Sequence, residues 1–289
     1  MNSSGAHDVS AGGTSDFVLR DAEFNRIREL VREHTGISLS EAKRQLVYGR
    51  LTRRLRTLRM QGFGDYIELL EKADPVELEQ FTNAITTNLT SFFRESHHFD
   101  HLAAQVLPDI ARRLQGSGRL RIWSCASSTG EEPYSIAMVL REKQAQLAGI
   151  DAKILATDLD SNALATGAAG VYAAERLQTV SKARTARFFH EGSGSQLGKF
   201  KVDAILPELI TFKQLNLMHE WPMRGPFDVI FCRNVIIYFD KATQKVLFER
   251  MAELQRPGDI LYLGHSESLY RVTDKYELVG RTIYKRSGS

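Results

Sequence analysis

The chain has 289 residues, of which 43% are hydrophobic and 25% are charged, a balance typical of a globular protein with a sizeable core. Its formal net charge of +3 is too small to require a nucleic-acid partner, and no run of about 18 apolar residues predicts a membrane span. Two cysteines, Cys125 and Cys232, are too few for a disulfide framework or a zinc site, so a reducing, cytoplasmic compartment is expected.

The chain begins with a polar segment and continues as a helical region. Residues 1–16 are rich in serine and glycine and lack the apolar core of a signal peptide, so we predict a disordered tail. Over residues 17–90, apolar residues recur three and four positions apart, as on the buried face of a helix. Asp21 is placed to cap the first of these helices. Residues 17–90 are therefore predicted to form an all-α N-terminal domain.

The second predicted helix, which begins near Ser40, is strongly basic. No acidic residue occurs between Ala42 and Gly64. This is unusual for a structural helix, because opposite charges four residues apart stabilise helices. Two interpretations remain open: a solvated face whose arginine stems cover apolar surface, or a docking surface for an acidic partner. The arginines concerned are Arg50, Arg53, Arg54, Arg56 and Arg59.

Residues 88–95 connect the helical region to the rest of the chain and combine polar, aromatic and charged side chains. The sequence is Asn-Leu-Thr-Ser-Phe-Phe-Arg-Glu, and its two phenylalanines should anchor the connection in a core. Arg94 then lies in partly apolar surroundings, where a guanidinium needs either a structural salt bridge or an acceptor in a functional site. The histidines at positions 97, 98 and 101 are expected on a helix surface, because no thiolates or carboxylates stand beside them at metal-ligand spacing.

Residues 119–135 predict the opening of a nucleoside-binding α/β sheet. An apolar strand runs into small residues and then into a helix that begins with Glu131, Glu132 and Pro133. Small side chains allow a ligand to approach the backbone closely. Two carboxylates in the first turn argue against phosphate and favour a ligand with hydroxyls or a positive charge. The alternative is that both glutamates only complement the helix dipole.

Strands and helices alternate after residue 119, which indicates an α/β domain. Asp158 ends the second strand, where an acid can accept hydrogen bonds from ribose hydroxyls. NAD is disfavoured, because the spacing is too long for the dinucleotide fingerprint and no Gly-x-Gly-x-x-Gly motif is present. Arg233 and Asn234 follow a later apolar strand, and polar groups at the carboxyl ends of parallel strands face the ligand crevice.

Residues 187–215 interrupt this alternation. Short alternating runs, joined by a turn of glycine and serine at 192–195, predict a small antiparallel meander. Its last run, residues 209–213, either stays in the meander or returns to the main sheet. Near the end of the chain, residues 276–279 and 282–284 predict an antiparallel hairpin at the sheet edge.

Four stretches together resemble the chemotaxis receptor glutamate methyltransferases, which use S-adenosylmethionine. Besides 88–95, they are Ser-Ser-Thr-Gly-Glu-Glu-Pro-Tyr-Ser at 127–135, Phe-Cys-Arg-Asn-Val-Ile-Ile-Tyr-Phe-Asp at 231–240 and Gly-His-Ser-Glu at 264–267. The resemblance covers nearly all of the chain beyond the tail. It implies an all-α domain followed by a Rossmann-like class I methyltransferase domain over residues 91–289, with an inserted antiparallel β-subdomain at about 187–214.

The resemblance also implies which residues form the site. Asp158 would take the ribose hydroxyls and Glu132 would lie near the cationic methionine end, whereas Glu131 is expected to be structural. Arg94 and Tyr238 are implied as the catalytic residues near the transferred methyl group. The product, S-adenosylhomocysteine, should bind at the same place. The implied cofactor-binding residues are Asn88, Thr90, Arg94, Glu132, Asp158, Asn216, Leu217, Arg233 and Asn234, with Leu217 beside the adenine.

The implied function is methylation of glutamate side chains in the cytoplasmic domains of methyl-accepting chemotaxis receptors, for sensory adaptation. These acidic receptor helices favour docking as the role of the basic helix. In some family members the β-subdomain also binds a receptor C-terminal peptide as an added strand. A monomer is expected, without metal, nucleic acid or membrane insertion. Two rivals stay open: a methyltransferase for nucleic acid or a small molecule, and a non-catalytic module that binds the nucleoside.

Overall fold

The structure is a computed structural model that describes residues 17–288, so the tail predicted at residues 1–16 lies outside the described part. A bundle of helices comes first. Its elements are α1 (Asp21–Thr35), α2 (Arg44–Leu58), α3 (Phe63–Glu71) and α4 (Pro75–Ile85), with a short 3-10 turn at Glu41–Lys43 before α2. Their apolar faces enclose one core, which includes Phe24, Ile27, Val47, Leu51, Leu55, Phe63 and Phe81.

Local sequence explains where these helices begin and end. The α1 helix begins at Asp21, so Arg20 and not Asp21 is its N-cap, one residue earlier than predicted. The Glu23 carboxylate accepts a hydrogen bond from the backbone N–H of Arg20 at 2.7 Å. Gly36 follows α1 with a φ of 74°, the left-handed conformation that glycine adopts at helix ends. Asp74 caps α4 by accepting from the N–H of Val76 at 2.9 Å.

Residues 88–114 lead from the bundle into the α/β part through three short helical segments. These are α5 (His97–His101), a π-helical turn at Leu102–Val106 and α6 (Leu107–Leu114). Phe92 and Phe93 are buried, as predicted. The Phe92 ring packs edge-on against Phe189 and Tyr172, with centroids 5.4 and 5.0 Å away, so it anchors the connection.

The prediction that all three histidines lie on a helix surface is wrong for His98. Its side chain is fully buried, and its ring lies 5.0 Å from the ring of Tyr262. Its Nε2 contacts the carbonyl of Arg281 at 3.2 Å and the hydroxyl of Thr282 at 3.1 Å. Burial lowers the pKa of His98 to about 3, which keeps the ring neutral inside the domain.

A seven-stranded sheet forms the centre of the α/β part. In chain order the elements are β1 (Arg119–Cys125), α7 (Glu131–Glu142), β2 (Asp151–Asp158), α8 (Ser161–Ala169), β3 (Val171–Ala173), α9 (Lys182–Phe188), β4 (Phe189–Glu191), β5 (Lys199–Val202), β6 (Ile210–Gln214), β7 (Val229–Cys232), α10 (Lys241–Glu253), β8 (Ile260–Leu263), β9 (Tyr276–Gly280) and β10 (Ile283–Arg286). The strand order is β6-β2-β1-β7-β8-β10-β9. The first five strands are parallel, and β10 and β9 form the predicted antiparallel hairpin, with β9 at the edge.

The direction of chain progression reverses beside β1. From β1 the chain moves outward to β2 and β6, then returns to pair β7 with the other side of β1. In open α/β sheets, ligands bind at such a switch point, beyond the carboxyl ends of the strands. Cys125 and Cys232 are register partners at these two strand ends, and both are buried free thiols.

Alternating side chains of the sheet enter two apolar cores, one on each face. In β1, Ile122 enters the core that also contains Phe231 and Tyr262. The next residue, Trp123, enters the core with Ile230 and the helix α10. The sheet is therefore covered on both sides, which explains why its parallel strands are nearly all apolar.

The small antiparallel sheet exists, but its bounds differ from the predicted insert at 187–214. Its order is β3-β5-β4, so it starts at Val171, and residues 210–214 belong instead to the main sheet as β6. Strand β6 pairs in parallel with β2, where Ile210 and Phe212 pack against the main core. The sequence missed β3 because three residues are too few to display a strand pattern.

Candidate functional site

A cavity of about 510 Å³ opens beyond the carboxyl ends of β1, β2 and β7, at the switch point of the sheet. This volume lies within the range of sites for small molecules and cofactors. All of the predicted cofactor-binding residues and Tyr238 line it. They are Asn88, Thr90, Arg94, Glu132, Asp158, Asn216, Leu217, Arg233, Asn234 and Tyr238.

Asp158 projects into this cavity from the end of β2. One carboxylate oxygen accepts a hydrogen bond from the N–H of Ser128 at 2.7 Å, and the other accepts from the N–H of Asp160 at 2.9 Å. Burial raises the pKa of Asp158 to about 6. A carboxylate offers about four acceptor positions, so Asp158 can still accept from hydroxyl groups of a ligand.

Asn88 is held by a neighbouring acid, Asp160, which also caps the helix α8. One oxygen of Asp160 accepts from the N–H groups of Asn162 and Ala163 at the start of α8. The other oxygen accepts from Nδ2 of Asn88 at 2.7 Å and from the Thr86 hydroxyl at 2.7 Å. The cap of α8 therefore also fixes the orientation of Asn88 at the cavity wall.

Glu132 and Arg233 form a buried ion pair across the cavity floor. Nη1 of Arg233 lies 2.9 Å from one oxygen of Glu132, and the Ser124 hydroxyl donates to the other at 2.7 Å. Burial raises the pKa of Glu132, although Arg233 opposes this shift. Nη2 of Arg233 donates to the backbone carbonyl of Arg94, which ties the predicted catalytic arginine to the cavity floor.

Glu95 is a supporting residue. It ends the stretch 88–95, but no role was predicted for it. Its carboxylate lies 3.3 Å from Nη2 of Arg233 and 3.2 Å from the ring of His265. Burial opposes its ionisation, but these two groups and Asn234 outweigh burial and lower the pKa of Glu95 to about 2. Arg233 thus lies between two carboxylates, Glu95 and Glu132, which hold it in place.

The Gly-His-Ser-Glu motif supports the loop that follows β7. The buried carboxylate of Glu267 accepts from the N–H groups of Gly264, Asn234 and Ile236, at distances from 2.6 to 2.9 Å. Asn234 adopts a φ of 58°, which few non-glycine residues adopt. The hydrogen bonds to the Glu267 carboxylate therefore help to hold the loop in this conformation. A Cβ on Gly264 would lie 2.3 Å from Nδ2 of Asn234, so the position requires glycine.

Arg94 and Tyr238, the predicted catalytic pair, reach the cavity from different segments. Nη1 of Arg94 donates to the carbonyl of Leu89 at 2.9 Å. Across residues 17–288, no carboxylate forms an ion pair with Arg94, so its guanidinium keeps donors for another acceptor. Tyr238 belongs to a 3-10 turn at Ile236–Tyr238, and its carbonyl accepts from the N–H of Ser38 at 2.8 Å.

The helical domain also contributes one wall of the cavity, from a segment in which the sequence indicated no site residue. Residues 35, 37–40 and 43, between α1 and α2, line it together with Leu46. Asn216 is oriented by this domain, since its Nδ2 donates to the carbonyl of His34 at 2.7 Å. Arg32 and Asp240 join the same two parts by an ion pair of 2.9 Å.

The five arginines of the basic helix divide into two groups. Arg50 donates to the carbonyls of Ile85 and Thr86 and so belongs to the framework of the domain. Arg54 forms an ion pair with the buried Glu77. The side chains of the other three, Arg53, Arg56 and Arg59, are exposed.

Glu131 has the structural role expected of it. Its buried carboxylate pairs with Arg176, next to the small sheet, and accepts from the Thr129 hydroxyl at 2.7 Å. Within the described residues, no group of three or more histidine, cysteine or acidic side chains could hold a metal ion. No helix between residues 17 and 288 is both long and apolar enough to cross a membrane.

The parallel sheet, its switch-point cavity and the acid at the end of β2 define a nucleoside-binding α/β fold of the class I methyltransferase type. Residues 88–285 match the family model described as CheR methyltransferase, SAM binding domain, and residues 22–86 match the one described as CheR methyltransferase, all-alpha domain. The chain belongs to the CheR methyltransferase family. The cavity fits S-adenosylmethionine, because buried carboxylates suit both its hydroxyls and its positive charge.

Curated relatives match the chain over nearly its whole length. Chemotaxis protein methyltransferase 2 of Pseudomonas aeruginosa is 47% identical over 94% of this chain and 95% of its own length. Chemotaxis protein methyltransferase of Escherichia coli is 42% identical over 95% of this chain and 94% of its own length. A probable chemotaxis protein methyltransferase of Rhizobium etli is 44% identical over 89% of this chain and 96% of its own length.

Proposed function

We propose that this methyltransferase transfers the methyl group of S-adenosylmethionine to glutamate side chains of chemotaxis receptors and so acts as a protein-glutamate O-methyltransferase. The observation that carries the proposal is the lining of one cavity, where Arg94 and Tyr238 stand beside the cofactor-type residues Asp158 and Glu132. The names of the chain's relatives, chemotaxis protein methyltransferases, support the receptor as substrate. The products are a glutamate methyl ester and S-adenosylhomocysteine.

The reaction requires little acid–base chemistry from the protein. When bound, S-adenosylmethionine supplies an electrophilic methyl group on a cationic sulfonium and leaves as a neutral thioether. A glutamate side chain has a pKa of about 4.3, so at neutral pH its carboxylate is already the nucleophile. The contribution of the chain is then to hold the carboxylate in line with the methyl group, at about 3–3.5 Å.

Arg94 and Tyr238 are suited to this orientation. Arg94 can donate from its guanidinium to one carboxylate oxygen while the other oxygen attacks. Too strong an ion pair would weaken the nucleophile, so Arg94 must orient the substrate without neutralising it. Its partial exposure to solvent favours this balance, because water screens the attraction. The Tyr238 hydroxyl would donate to the same carboxylate.

Receptor docking is assigned to the exposed arginines on α2 and at its C-terminal end. Arg53, Arg56 and Arg59 can meet acidic receptor helices, whereas Arg50 and Arg54 support the domain from within. The edges of the small sheet, β3 and β4, are candidates for a receptor C-terminal peptide that adds a strand. We assign the reaction to the cytoplasm and to a monomer, as the sequence suggested.

Transfer of radiolabelled methyl groups from S-adenosylmethionine tests this function. The purified chain should label cytoplasmic fragments of chemotaxis receptors and leave RNA unlabelled. The label should be lost in mild alkali, because a carboxylate methyl ester hydrolyses there and a methylated amine does not. Labelling of RNA alone would favour the nucleic-acid rival, and no transfer to any acceptor would favour the non-catalytic module.

A further inference from the structure

Two large apolar side chains stay exposed at the mouth of the cavity. Leu89 is 77% exposed and Ile237 is 53% exposed, yet both line the cavity wall. A single exposed apolar residue is ordinary on a protein surface. Two at the rim of one cleft are a different case, because apolar side chains grouped beside a polar site mark a surface that binds a partner.

The backbone of each of these residues is connected to one of the two predicted catalytic residues. The carbonyl of Leu89 accepts from Nη1 of Arg94 at 2.9 Å, so the position of Leu89 is tied to that guanidinium. Ile237 directly precedes Tyr238 in the 3-10 turn at Ile236–Tyr238. A carboxylate held by Arg94 and Tyr238 would therefore have one exposed apolar side chain next to each of its anchors.

The mouth is continuous with the basic helix α2. Arg50 of this helix donates to the carbonyls of Ile85 and Thr86 and to the Thr87 hydroxyl, just before Leu89 in the chain. Lys43, immediately before α2, lines the cavity itself. The partner that fits this continuous surface is acidic over α2 and apolar at the cavity mouth, which describes an amphipathic acidic helix.

We propose that Leu89 and Ile237 bind the apolar side chains next to the target glutamate on a receptor helix and thereby help to select that glutamate. The inference rests on the proposed function and names specificity residues for it. On an α-helix the neighbours of the glutamate on the same face lie three and four residues away.

The test compares polar with apolar replacements. Leu89→Ser and Ile237→Ser should each raise the KM for a receptor cytoplasmic fragment by about tenfold, since most of one side chain's apolar contact is lost. The kcat should change little, and the Kd for S-adenosylmethionine, measured by calorimetry, should stay within twofold of wild type. Leu89→Met and Ile237→Val should keep a KM near the wild-type value, because both preserve the apolar contact.

Matched controls come from exposed apolar residues outside the cavity lining. Val246 is 56% exposed on α10 and Leu278 is 59% exposed on the edge strand β9. Val246→Ser and Leu278→Ser should leave the receptor KM unchanged. Equal KM values in the polar and apolar variants of Leu89 and Ile237 would overturn the inference, as would weaker S-adenosylmethionine binding at unchanged receptor KM. If wild type itself fails to methylate the receptor, the proposed function fails first.

Discussion

At the scale of single residues, Asp158 combines a ligand-binding position with a pKa near the physiological range. Burial raises its pKa to about 6 in the unliganded protein. Ribose hydroxyls donate more strongly to the ionised carboxylate than to the protonated one. The affinity for S-adenosylmethionine should therefore be full above about pH 7 and fall as the pH drops below about 6, by at most tenfold per pH unit.

Calorimetric titrations between about pH 8 and pH 5 would measure this dependence. Asp158→Asn should bind S-adenosylmethionine about 10- to 100-fold more weakly at pH 8, because a charge-assisted hydrogen bond contributes about 1.5–3 kcal/mol. It should also lose the change near pH 6. If Asp158→Asn keeps the wild-type pH dependence, the titrating group is another residue.

Substitution of Arg94 or Tyr238 tests the proposed role of each residue in orienting the substrate carboxylate. Tyr238→Phe and Arg94→Ala should each lower kcat for receptor methylation by about 10- to 100-fold, because the carboxylate loses one orienting donor. The Tyr238→Phe variant is the cleaner test, since it retains the ring and should leave the Kd for S-adenosylmethionine unchanged. Full turnover in both variants would remove these assignments.

From the sequence alone, Asp158 was the clearest candidate for a ligand-binding residue, because an acid at the end of a parallel strand faces the ligand crevice. Glu132 was distinguished from its neighbour Glu131 only by the resemblance, because an acid in the first turn of a helix can also serve the helix dipole. Glu95 and Glu267 were not assigned, although both lie in quoted motifs. Their partners are distant in the chain, and no local pattern indicates a contact between residues 95 and 233 or between 267 and 234.

At the scale of elements, a buried ion pair holds the helices of the N-terminal domain together. Arg54 of α2 and the Tyr66 hydroxyl of α3 both donate to the carboxylate of Glu77 in α4. Glu77→Gln should lower the free energy of unfolding by about 3 kcal/mol, because a half-buried guanidinium loses its counter-charge. Urea unfolding followed by circular dichroism would measure it.

The exposed Glu68 of α3 provides the control for this substitution. Glu68→Gln removes the same charge from the same domain and should change the free energy of unfolding by less than about 0.5 kcal/mol. Equal effects of the two substitutions would mean that the ion pair between Glu77 and Arg54 does not stabilise the domain, and that only the lost negative charge matters.

The basic helix is the second element with a testable role. Arg53→Glu together with Arg56→Glu should raise the KM for the receptor fragment by about tenfold or more, because repulsion replaces attraction to an acidic helix. The Kd for S-adenosylmethionine should not change. Arg112→Glu with Arg119→Glu alters the net charge equally at exposed positions outside the cavity lining and should leave both constants unchanged. An unaltered receptor KM in the α2 variant would refute docking on this face.

Elements were predictable where they are long and regular. The helices of the first domain and the apolar strands β1, β2, β7 and β8 follow from periodicity and from their end signals. The small sheet was harder, because β3 and β4 have three residues each and β5 has four. Which sheet residues 210–214 join depends on pairing with β2, which is a long-range contact that local sequence does not encode.

At the scale of the whole molecule, the cavity belongs to both domains. Residues between α1 and α2 form one wall, while β2 supplies Asp158, α7 supplies Glu132 and the loop after β7 supplies Tyr238. The resemblance placed Asn88 and Thr90 of the first predicted domain at the site, but the wall between α1 and α2 was not predicted, since domain packing leaves no periodic signal. The shared wall brings the basic helix, the exposed mouth residues and the cofactor site into one continuous surface.

The proposed reaction at this surface is the methylation of glutamate side chains of a chemotaxis receptor. The direct measurement is mass-spectrometric mapping of a receptor cytoplasmic fragment after incubation with the chain and S-adenosylmethionine. We expect methyl groups on glutamate side chains only, lost after alkaline treatment and absent when Tyr238→Phe and Arg94→Ala are combined. Methyl groups on lysine, on the backbone termini or on no residue of the receptor would contradict it.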